Sequence, residues 1–455
     1  MINAAIFRQY DIRGVADRDL TSEVVELLGK ALGAFFQSGT VLVGRDNRLS
    51  SGRIRDDLVR GLLATGCRVV DVGLVVTPVV YYARVCFGID GAVMITGSHN
   101  PPDENGFKIC RGAGTIHGEE IQKLKAMMLE NKFIGGRGEV AEKDAVSPYR
   151  AMLQDKIRLG PRRLKVAVDC GNGAAGFFAE RLLSAWGCTV VPLYCEPDGN
   201  FPHHQPDPVK TANLADLRAA VLSRECDLGV AYDGDADRIG VVDDKGNVVW
   251  GDQLMILYWR EILPKYPGAA AIIEVKCSQA LVDEVNRLGG KPLFYKTGHS
   301  LIKAKMKEVG AVFTGEMSGH MFFADEYYGF DDAFYATGRL LRILSHVDVP
   351  LSSLLADVPR YYSTAETRVP CADKEKFAVV ARLVDDFKRE YEVIDVDGVR
   401  VLFPGGWGLV RASNTQPALV ARCEAKTEER LKEICDIVQN KLRRFPEVAD
   451  FQWEY

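Results

Sequence analysis

The chain has 455 residues, too many for one ordinary hydrophobic core, so its length predicts three or four domains. Hydrophobic residues make up 47% of the chain and charged residues 26%, which is typical of a soluble globular protein. The formal net charge of -5 argues against a nucleic-acid binder, and no apolar run of about 18 residues predicts a membrane span.

Short apolar strands and helix-like segments recur in the same order three times, which indicates an internal repeat. In the first copy we predict strands at 41–43, 68–72 and 92–95 and a helix at 51–65. In the second we predict strands at 165–168, 189–193 and 228–231 and a helix at 177–186. In the third we predict strands at 271–275, 292–295 and 311–313 and helices at 279–288 and 301–309.

Strands that alternate with helices predict mixed or parallel sheets covered on both faces, with ligands bound beyond the carboxyl ends of the strands. In each copy a polar, glycine-rich segment follows the last strand, and we predict that the three segments face one cleft. Beyond a boundary near 358–362, a strand at 367–369, helices at 374–391 and 428–443 and further strands predict a smaller α+β domain. The predicted domains are 1–144, 145–245, 246–358 and 359–455.

The polar segment of the second copy carries Asp233, Asp235 and Asp237 at alternate positions. Three carboxylates this close need a cation, because two unit charges about 4 Å apart repel by about 4 kcal/mol at an effective dielectric near ~20. An all-oxygen ligand set favours magnesium or calcium over zinc. An EF-hand is disfavoured, because Arg238 replaces the glycine of its loop and Asp244 replaces the final glutamate.

The polar segment of the first copy, TGSHNPP, places Ser98 in a loop with two prolines. The Asn105-Gly106 pair predicts a tight turn that brings Lys108 back toward Ser98. A serine hydrolase is disfavoured, because His99 is poorly placed as a base for Ser98 and no G-x-S-x-G motif surrounds the serine.

Two further segments combine a charged side chain with small polar ones. Glu316, Ser318 and His320 offer donors and acceptors for sugar hydroxyls, although an ordinary cap or loop stays open as an alternative. One guanidinium with hydroxyl and amide groups suits a phosphate dianion, with an ordinary polar turn as the alternative. The residues of this last group are Arg411, Ser413, Asn414 and Thr415.

Residues 171–176 read G-x-G-x-x-G between a strand and a helix, and Glu196 lies at the distance typical of a dinucleotide fingerprint. A NAD(P)-dependent enzyme is therefore the main rival from another class. It leaves Ser98, the three aspartates and Arg411 without a role, so we interpret these glycines as a tight strand-to-helix turn. A magnesium phosphatase and a noncatalytic sugar-phosphate binder also stay open.

The 11 cysteines form no CxxC pair and no zinc spacing, which favours reduced thiols in a cytoplasmic protein. Arg8, Asp11 and Arg13 interrupt the N-terminus, so we expect no signal peptide. We expect no nucleic acid, membrane or obligatory protein partner.

Seven segments of the chain resemble the α-D-phosphohexomutases. Four of them, in chain order, are TGSHNPP, DGDADR, GEMSGH and RASNTQP, and the others are FRQYDIRG, EVKCS and KTGHS. The resemblance covers essentially the whole chain. It implies four domains around a deep cleft, small-molecule hexose phosphates as ligands, and reversible phosphoryl transfer between the 1- and 6-positions of a hexose. The transfer would use a phosphoserine and a hexose 1,6-bisphosphate that turns end for end, with glucose 1,6-bisphosphate as activator.

The resemblance also assigns roles to residues. It implies a phosphoserine at Ser98, which with Asp233, Asp235 and Asp237 holds Mg²⁺. Lys108 and Arg238 would contact the transferring phosphoryl group, and either Lys108 or His299 would be the general base. The remaining implied contacts are Tyr10, Arg13, Lys276 and His299 along the cleft, Glu316, Ser318 and His320 at the sugar, and Arg411, Ser413, Asn414 and Thr415 at the other phosphate.

Glucose and mannose differ at C2 and share their O3 and O4 configuration, so a carboxylate that contacts O3 and O4 does not separate them. We therefore expect activity on both sugars. A phosphoglucosamine mutase is the alternative within the family, but those mutases carry different residues in the GEMSGH segment.

Overall fold

The computed structural model describes residues 2–112, 114–413 and 416–454, which form four sheets in chain order. The first sheet and its helices consist of β1 (Ile12–Val15), α1 (Ser22–Phe35), β2 (Thr40–Arg45), α2 (Ser51–Leu63), β3 (Arg68–Leu74), α3 (Thr77–Phe87), β4 (Gly91–Ile95), β5 (Glu104–Arg111), β6 (Gly114–Thr115), α4 (Glu119–Glu130) and β7 (Glu139–Glu142). The second unit consists of α5 (Val146–Lys156), β8 (Lys165–Asp169), α6 (Ala179–Ala185), β9 (Thr189–Leu193), α7 (Ala215–Ser223), β10 (Leu228–Tyr232), β11 (Ile239–Asp243) and β12 (Val248–Val249).

The third unit consists of α8 (Gly251–Ile262), β13 (Ala270–Glu274), α9 (Gln279–Arg287), β14 (Lys291–Tyr295), α10 (His299–Val309), β15 (Phe313–Gly315), β16 (Met321–Phe323), α11 (Ala333–Ser345) and α12 (Leu351–Leu354). The fourth consists of β17 (Tyr362–Ser363), β18 (Thr367–Pro370), α13 (Lys376–Lys388), β19 (Val393–Ile394), β20 (Val399–Phe403), β21 (Gly406–Ala412), β22 (Ala418–Ala425) and α14 (Glu428–Leu442). Short 3-10 helices lie at Ala4–Ile6, Ala174–Phe177 and Thr211–Leu214. None of the described helices is both long and apolar enough to cross a bilayer.

The first three sheets repeat one topology, which confirms the predicted α/β repeat. Their strands run in the orders β3-β2-β4-β5, β9-β8-β10-β11 and β14-β13-β15-β16. In each set three strands are parallel and the fourth is antiparallel to the third. The three polar segments therefore occupy equivalent positions, each in the connection between the third and the fourth strand.

The structure corrects four local predictions. Asn105 and Gly106 form no turn but lie inside β5, where Phe107 pairs with Ile95 and Lys108 with Met94. The strand predicted at 311–313 is shifted to β15. The helix predicted at 177–186 is divided into a 3-10 turn and α6. The fourth strands β5, β11 and β16 have no predicted bounds, because pairing with the third strand of each sheet determines them and no local period marks them.

The apolar cores explain how the cleft is held. Every residue of β4 and β10 is buried, as expected for central strands covered on both faces. One contiguous apolar cluster contains side chains of the first three units, with Leu42 as its first member in the chain and Leu351 as its last. The C-terminal sheet has a separate core around α13 and α14. The C-terminal domain contacts the third unit through a smaller apolar cluster in which Val275 packs with Trp407 and Leu409.

Candidate active site

The three equivalent polar segments meet in one cluster. Ser98 Oγ lies 2.7 Å from Asp233 Oδ2, which joins the first segment to the second. Arg238 and His320 form a β-bridge, and Arg238 Nε donates to His320 Nε2 at 2.9 Å, which joins the second segment to the third. The prediction that the segments face one another is thus confirmed for the described residues.

Ser98 is buried and strained. Its φ of 50° is in the left-handed region, which costs a non-glycine residue free energy. The Ser98 amide donates to Thr96 Oγ1 at 2.8 Å, and its hydroxyl lies 3.1 Å from His99 Nδ1. Burial and the cation of Arg238 lower the pKa of His99 well below its usual range, so this ring is neutral beside the serine.

The aspartate segment is built as a tight turn around one carboxylate. Asp233 Oδ1 accepts from the amides of Asp237 and Arg238, each at 3.1 Å. Ala236 adopts a φ of 58°, and a Cβ at Gly234 would lie only 2.3 Å from the Ser98 carbonyl oxygen. The segment therefore requires a glycine at 234 to approach the serine loop.

Two of the three fully buried aspartates contact one buried ammonium. Lys108 Nζ lies 2.6 Å from Asp235 Oδ2 and also contacts Asp237. Burial opposes the charge of Lys108, but Asp235 and Asp237 outweigh it and raise its pKa. Burial and the neighbouring carboxylates raise the pKa of Asp233 well above its usual range. Burial works in the same direction on Asp235, but Lys108 outweighs it and lowers that pKa.

The aspartate cluster fits a divalent cation. One oxygen of each aspartate lies within 4.8 Å of the others. Asp235 Oδ1 and Asp237 Oδ1 are buried and have no hydrogen-bond partner among the described residues. Buried carboxylate oxygens without donors are costly unless a cation binds them. Hard oxygen donors suit Mg²⁺.

A second group, formed by Asp237, His320 and Asp331, also has three possible metal ligands within 4.8 Å. The bond from Arg238 argues against a metal there, because arginine only donates and His320 Nε2 must accept. A ring whose Nε2 accepts carries its proton on Nδ1, so Nδ1 offers no lone pair to a metal. His320 Nδ1 lies 3.0 Å from Asp331 Oδ2, although neither atom has a hydrogen-bond partner among the described residues.

His299 lies above this pair, with its ring stacked on His320 at 5.3 Å between centroids. Asp331 Oδ2 and Lys303 Nζ each lie 3.4 Å from His299 Nδ1, and Lys303 also donates to Asp331 at 2.8 Å. Burial and the Lys303 ammonium lower the pKa of His299 to about 4. The ring is therefore neutral near neutral pH.

Glu316 and Lys276 lie at the carboxyl ends of the third sheet. Glu316 is buried, accepts from the Gly298 amide at 2.7 Å, and burial raises its pKa. Lys276 Nζ contacts Glu366 of the C-terminal domain at 2.7 Å and Glu274 at 3.2 Å. Burial opposes the charge of Lys276, but Glu274 and Glu366 outweigh it and raise its pKa. Ser318 is half-buried in the same connection.

The N-terminal segment contributes Tyr10 and Arg13. The Tyr10 hydroxyl donates to Thr297 O at 2.8 Å, just before α10. Arg13 Nε contacts Asp11 at 2.5 Å, and its Nη1 donates to Gly97 O at 3.1 Å. Arg13 therefore lies against the loop that carries Ser98.

The C-terminal domain contributes Arg411 and Ser413. Arg411 Nε donates to Asp397 at 2.9 Å, whereas its Nη2 is buried without a hydrogen-bond partner among the described residues. Ser413 Oγ accepts from the Gln416 amide at 3.2 Å. The other two predicted residues, Asn414 and Thr415, lie outside the described residues.

The sequence analysis missed the polar residues that contact and orient the predicted site residues. Thr77, at the start of α3, donates to Asp235. Lys303 and Asp331 orient His299 and His320, and Glu274 contacts Lys276 and accepts from the Met317 amide at 3.0 Å. These residues come from distant strands and helices, so no local motif marks them.

The G-x-G-x-x-G segment has no room for a dinucleotide. A Cβ at Gly176 would lie 2.2 Å from the Cys195 carbonyl oxygen, and one at Gly173 would lie 3.0 Å from Gly234. The Asn172 carbonyl accepts from Asn47 at 2.8 Å. The segment is a turn packed inside the protein, as interpreted from the sequence.

Comparison with known proteins gives four consecutive matches. The models of the phosphoglucomutase/phosphomannomutase family match as α/β/α domain I at 4–134, domain II at 147–246, domain III at 250–362 and the C-terminal domain at 366–441. A Pseudomonas aeruginosa protein named phosphomannomutase/phosphoglucomutase is 46% identical over 97% of this chain and 96% of its own. A Neisseria gonorrhoeae phosphoglucomutase is 42% identical over 95% of each chain. A Burkholderia thailandensis crystal structure of the phosphoglucomutase/phosphomannomutase family has a TM-score of 0.91 and 41% identity, covering 98% of both chains.

Proposed function

The chain belongs to the phosphoglucomutase/phosphomannomutase family, and on that premise we propose that it interconverts the 1- and 6-phosphates of glucose and mannose through a phosphoserine at Ser98. It is a phosphohexomutase, an isomerase that transfers a phosphoryl group within a hexose phosphate. One observation carries the proposed chemistry. The hydroxyl of Ser98 lies 2.7 Å from one of three buried aspartates that belong to another domain.

We propose that Asp233, Asp235 and Asp237 hold Mg²⁺ together with an oxygen of phosphorylated Ser98. The two unpartnered carboxylate oxygens support this ligand set. When bound, Mg²⁺ would neutralise charge on the phosphoryl oxygens.

The protein supplies the other cations that phosphoryl transfer needs. Charge builds up on the phosphoryl oxygens in the transition state, so catalysis depends on positioned cations. Lys108, Arg238 and Arg13 all lie around Ser98 and the aspartates. We propose that they contact the transferring phosphoryl group.

Between the two candidate bases, the charges favour His299. Lys108 is bound by two carboxylates that raise its pKa, so it keeps its proton. The pKa of His299 is lowered to about 4, so its neutral ring is free to accept one. We propose that His299 acts as base in the tautomer with its proton on Nδ1, which faces Asp331 Oδ2 at 3.4 Å, so that Nε2 deprotonates the attacking sugar hydroxyl. In the other tautomer Nδ1 accepts from Lys303, also at 3.4 Å, and Nε2 carries the proton.

The sugar and its second phosphate would bind on the other side of the cleft. We propose that Glu316 and Ser318 bind sugar hydroxyls beside His320, with Tyr10 and Lys276 along the cleft. Arg411 Nη2, which has no hydrogen-bond partner among the described residues, supports a role for Arg411 at the nonreacting phosphate, together with Ser413, Asn414 and Thr415. Because the bisphosphate intermediate turns end for end, this site must accept the phosphate of either carbon.

The domain ranges of this proposal are 1–144 for the phosphoserine loop, 145–245 for the metal site, 246–358 for the sugar site and 359–455 for the phosphate site. Glucose 1,6-bisphosphate would serve as activator by phosphorylating Ser98. The 11 cysteines are free thiols wherever the structure describes them, which suits the reducing cytoplasm proposed as its location.

The phosphoserine is tested by incubating the protein with glucose 1,6-bisphosphate and Mg²⁺, and locating phosphate by peptide mass spectrometry. We expect phosphate on Ser98 and a loss of at least about three orders of magnitude in turnover in Ser98→Ala, since the variant lacks the hydroxyl that carries the phosphoryl group. Ser147→Ala, at an exposed serine at the start of α5, is the control and should stay active. Phosphate elsewhere, or an active Ser98→Ala, would refute the proposal.

A further inference from the structure

The loop that carries Ser98 is hydrogen-bonded to one buried guanidinium. Arg48 follows β2 and is among the largest fully buried side chains of the described residues. Its Nη2 donates to the carbonyl oxygens of Ser98 and Asn100, each at 2.7 Å. Its Nη1 donates to Glu104 O at 2.9 Å and also to Pro101 O. Four carbonyl oxygens of one loop thus share a single side chain.

The remaining surroundings fix the guanidinium in place. Asp46 Oδ2 lies 3.3 Å from Arg48 Nε, and Asp46 Oδ1 accepts from the Arg48 amide at 3.1 Å. The ring of Phe201, from the second domain, lies 5.0 Å from Arg48 Cζ. A Cβ at Gly97 would lie 2.6 Å from Cζ, so the loop approaches the guanidinium as closely as glycine allows.

The hydrogen bonds from Arg48 lie at Ser98, the residue with the strained backbone. Ser98 has a φ of 50°, and a non-glycine residue keeps such a strained conformation only where its surroundings impose it. Arg48 binds the carbonyl of that same residue and of the residues that follow it. The direction of Ser98 Oγ toward Asp233 depends on this backbone conformation.

We propose that Arg48 is a positioning residue for phosphoryl transfer, which holds Ser98 in its left-handed conformation by binding four carbonyl oxygens of the loop. The inference rests on the proposed role of Ser98 as phosphoryl carrier. Ser98 must present its oxygen in the same place when it gives and when it receives the phosphoryl group. A displacement of about 1 Å costs about 100-fold in such a reaction, so the loop must be rigid in both half-reactions.

Arginine is required for geometric reasons. Its planar guanidinium has five N–H donors in fixed directions, whereas a lysine ammonium has three donors at one point. Arg48→Lys keeps the buried charge but cannot bind four carbonyl oxygens spread along the loop. It therefore separates the effect of loop geometry from the effect of charge.

The test compares Arg48→Lys with Arg339→Lys. Arg339 is also fully buried and donates to Glu261 at 2.6 Å and to Asp325 at 2.9 Å, but it belongs to α11, outside the proposed machinery. Its substitution controls for the loss of bonds from a buried arginine. The readouts are the melting temperature, kcat and KM with glucose 1-phosphate, and the phosphorus NMR signal of the enzyme phosphorylated on Ser98.

We expect Arg48→Lys to lose at least about 100-fold in kcat while KM changes less than about threefold, and its phosphoserine signal to shift. Arg339→Lys should lose a similar amount of melting temperature with kcat within about twofold of the wild type. Equal kcat losses in the two variants would overturn the inference. If Arg48→Lys does not fold, Arg48→Gln replaces it, and the failure of both to fold would mean a structural role only.

The outcome also separates this inference from the proposed function. A wild type that carries no phosphate on Ser98 overturns the proposed function and this inference together. A phosphorylated wild type with a fully active Arg48→Lys overturns this inference alone.

Discussion

Removal of the Lys108 ammonium should destabilise the protein in a way that a divalent cation reverses. Lys108 is buried and lies 2.6 Å from Asp235, and its second carboxylate partner is Asp237. In Lys108→Met, Asp233, Asp235 and Asp237 stay fully buried without this cation. Removing one partner of a buried ion pair costs about 3–5 kcal/mol. A Coulomb energy of about 4 kcal/mol for unit charges about 4 Å apart, at an effective dielectric near ~20, agrees with that range.

The assay is urea unfolding of both proteins, once with EDTA and once with saturating Mg²⁺. We expect the first unfolding transition of Lys108→Met to lose about 3–5 kcal/mol in EDTA. Mg²⁺ at about 100 times its dissociation constant stabilises a binding-competent fold by about 2.7 kcal/mol. The gain should be larger for Lys108→Met than for the wild type, because the site of the variant is more negative.

Lys388→Met is the matched control, since Lys388 is half-exposed and pairs with Asp395 on the surface. A surface pair of this kind contributes at most about 1 kcal/mol. A loss of less than about 1 kcal/mol for Lys108→Met in EDTA, or the same Mg²⁺ effect in both proteins, would refute this account of the charges.

Three further predictions concern the histidine, the glycine turn and the domain contact. The pKa of His299 is lowered to about 4 from 6.5, so as pH falls from about 6.5 to about 4 the unfolded chain binds a proton that the folded chain does not. The free energy of unfolding of the wild type should therefore fall by about 3 kcal/mol more than that of His299→Gln over this range. Equal pH profiles of the two proteins in urea unfolding would contradict this. Gly234→Ala should lower kcat at least about 100-fold, because its Cβ meets the carbonyl of Ser98, the proposed phosphoryl carrier, whereas Gly52→Ala, with open space, should keep full activity. Arg400 donates at 2.7 Å to two carbonyl oxygens after β13, so Arg400→Met should speed proteolysis at 355–361 at least about fivefold. Arg382→Met, at a surface ion pair, is its control, and equal cleavage of the two variants would exclude Arg400 as a contact between the domains.

Much of the fold was predictable because short apolar segments mark the strands of each repeat in the sequence. The strand Thr189–Leu193 was predicted with the observed bounds, and most others within two residues. The fourth strand of each sheet was not predicted, since pairing across the sheet determines it and no local period marks it. The same reason explains why Asn105 and Gly106, typical of a turn, lie in β5 instead.

The candidate site likewise contains residues that local motifs mark and residues that only the folded structure brings into place. Ser98, the aspartates and Glu316 follow strand ends and belong to motifs, so the sequence marked them. Asp331, by contrast, acquires its role only when folding brings it to 3.0 Å from His320. Burial decides the protonation of His299, and burial depends on all the domains that pack around it.

The most direct test of the proposed function is phosphorus NMR of the purified protein with Mg²⁺, a trace of glucose 1,6-bisphosphate, and either mannose 1-phosphate or glucose 1-phosphate. We expect a 6-phosphate signal to grow from each sugar, with rates that differ by less than about a thousandfold, or ~4 kcal/mol, and without release of inorganic phosphate. Steady release of inorganic phosphate without the 6-phosphate would contradict the mutase and indicate a phosphatase.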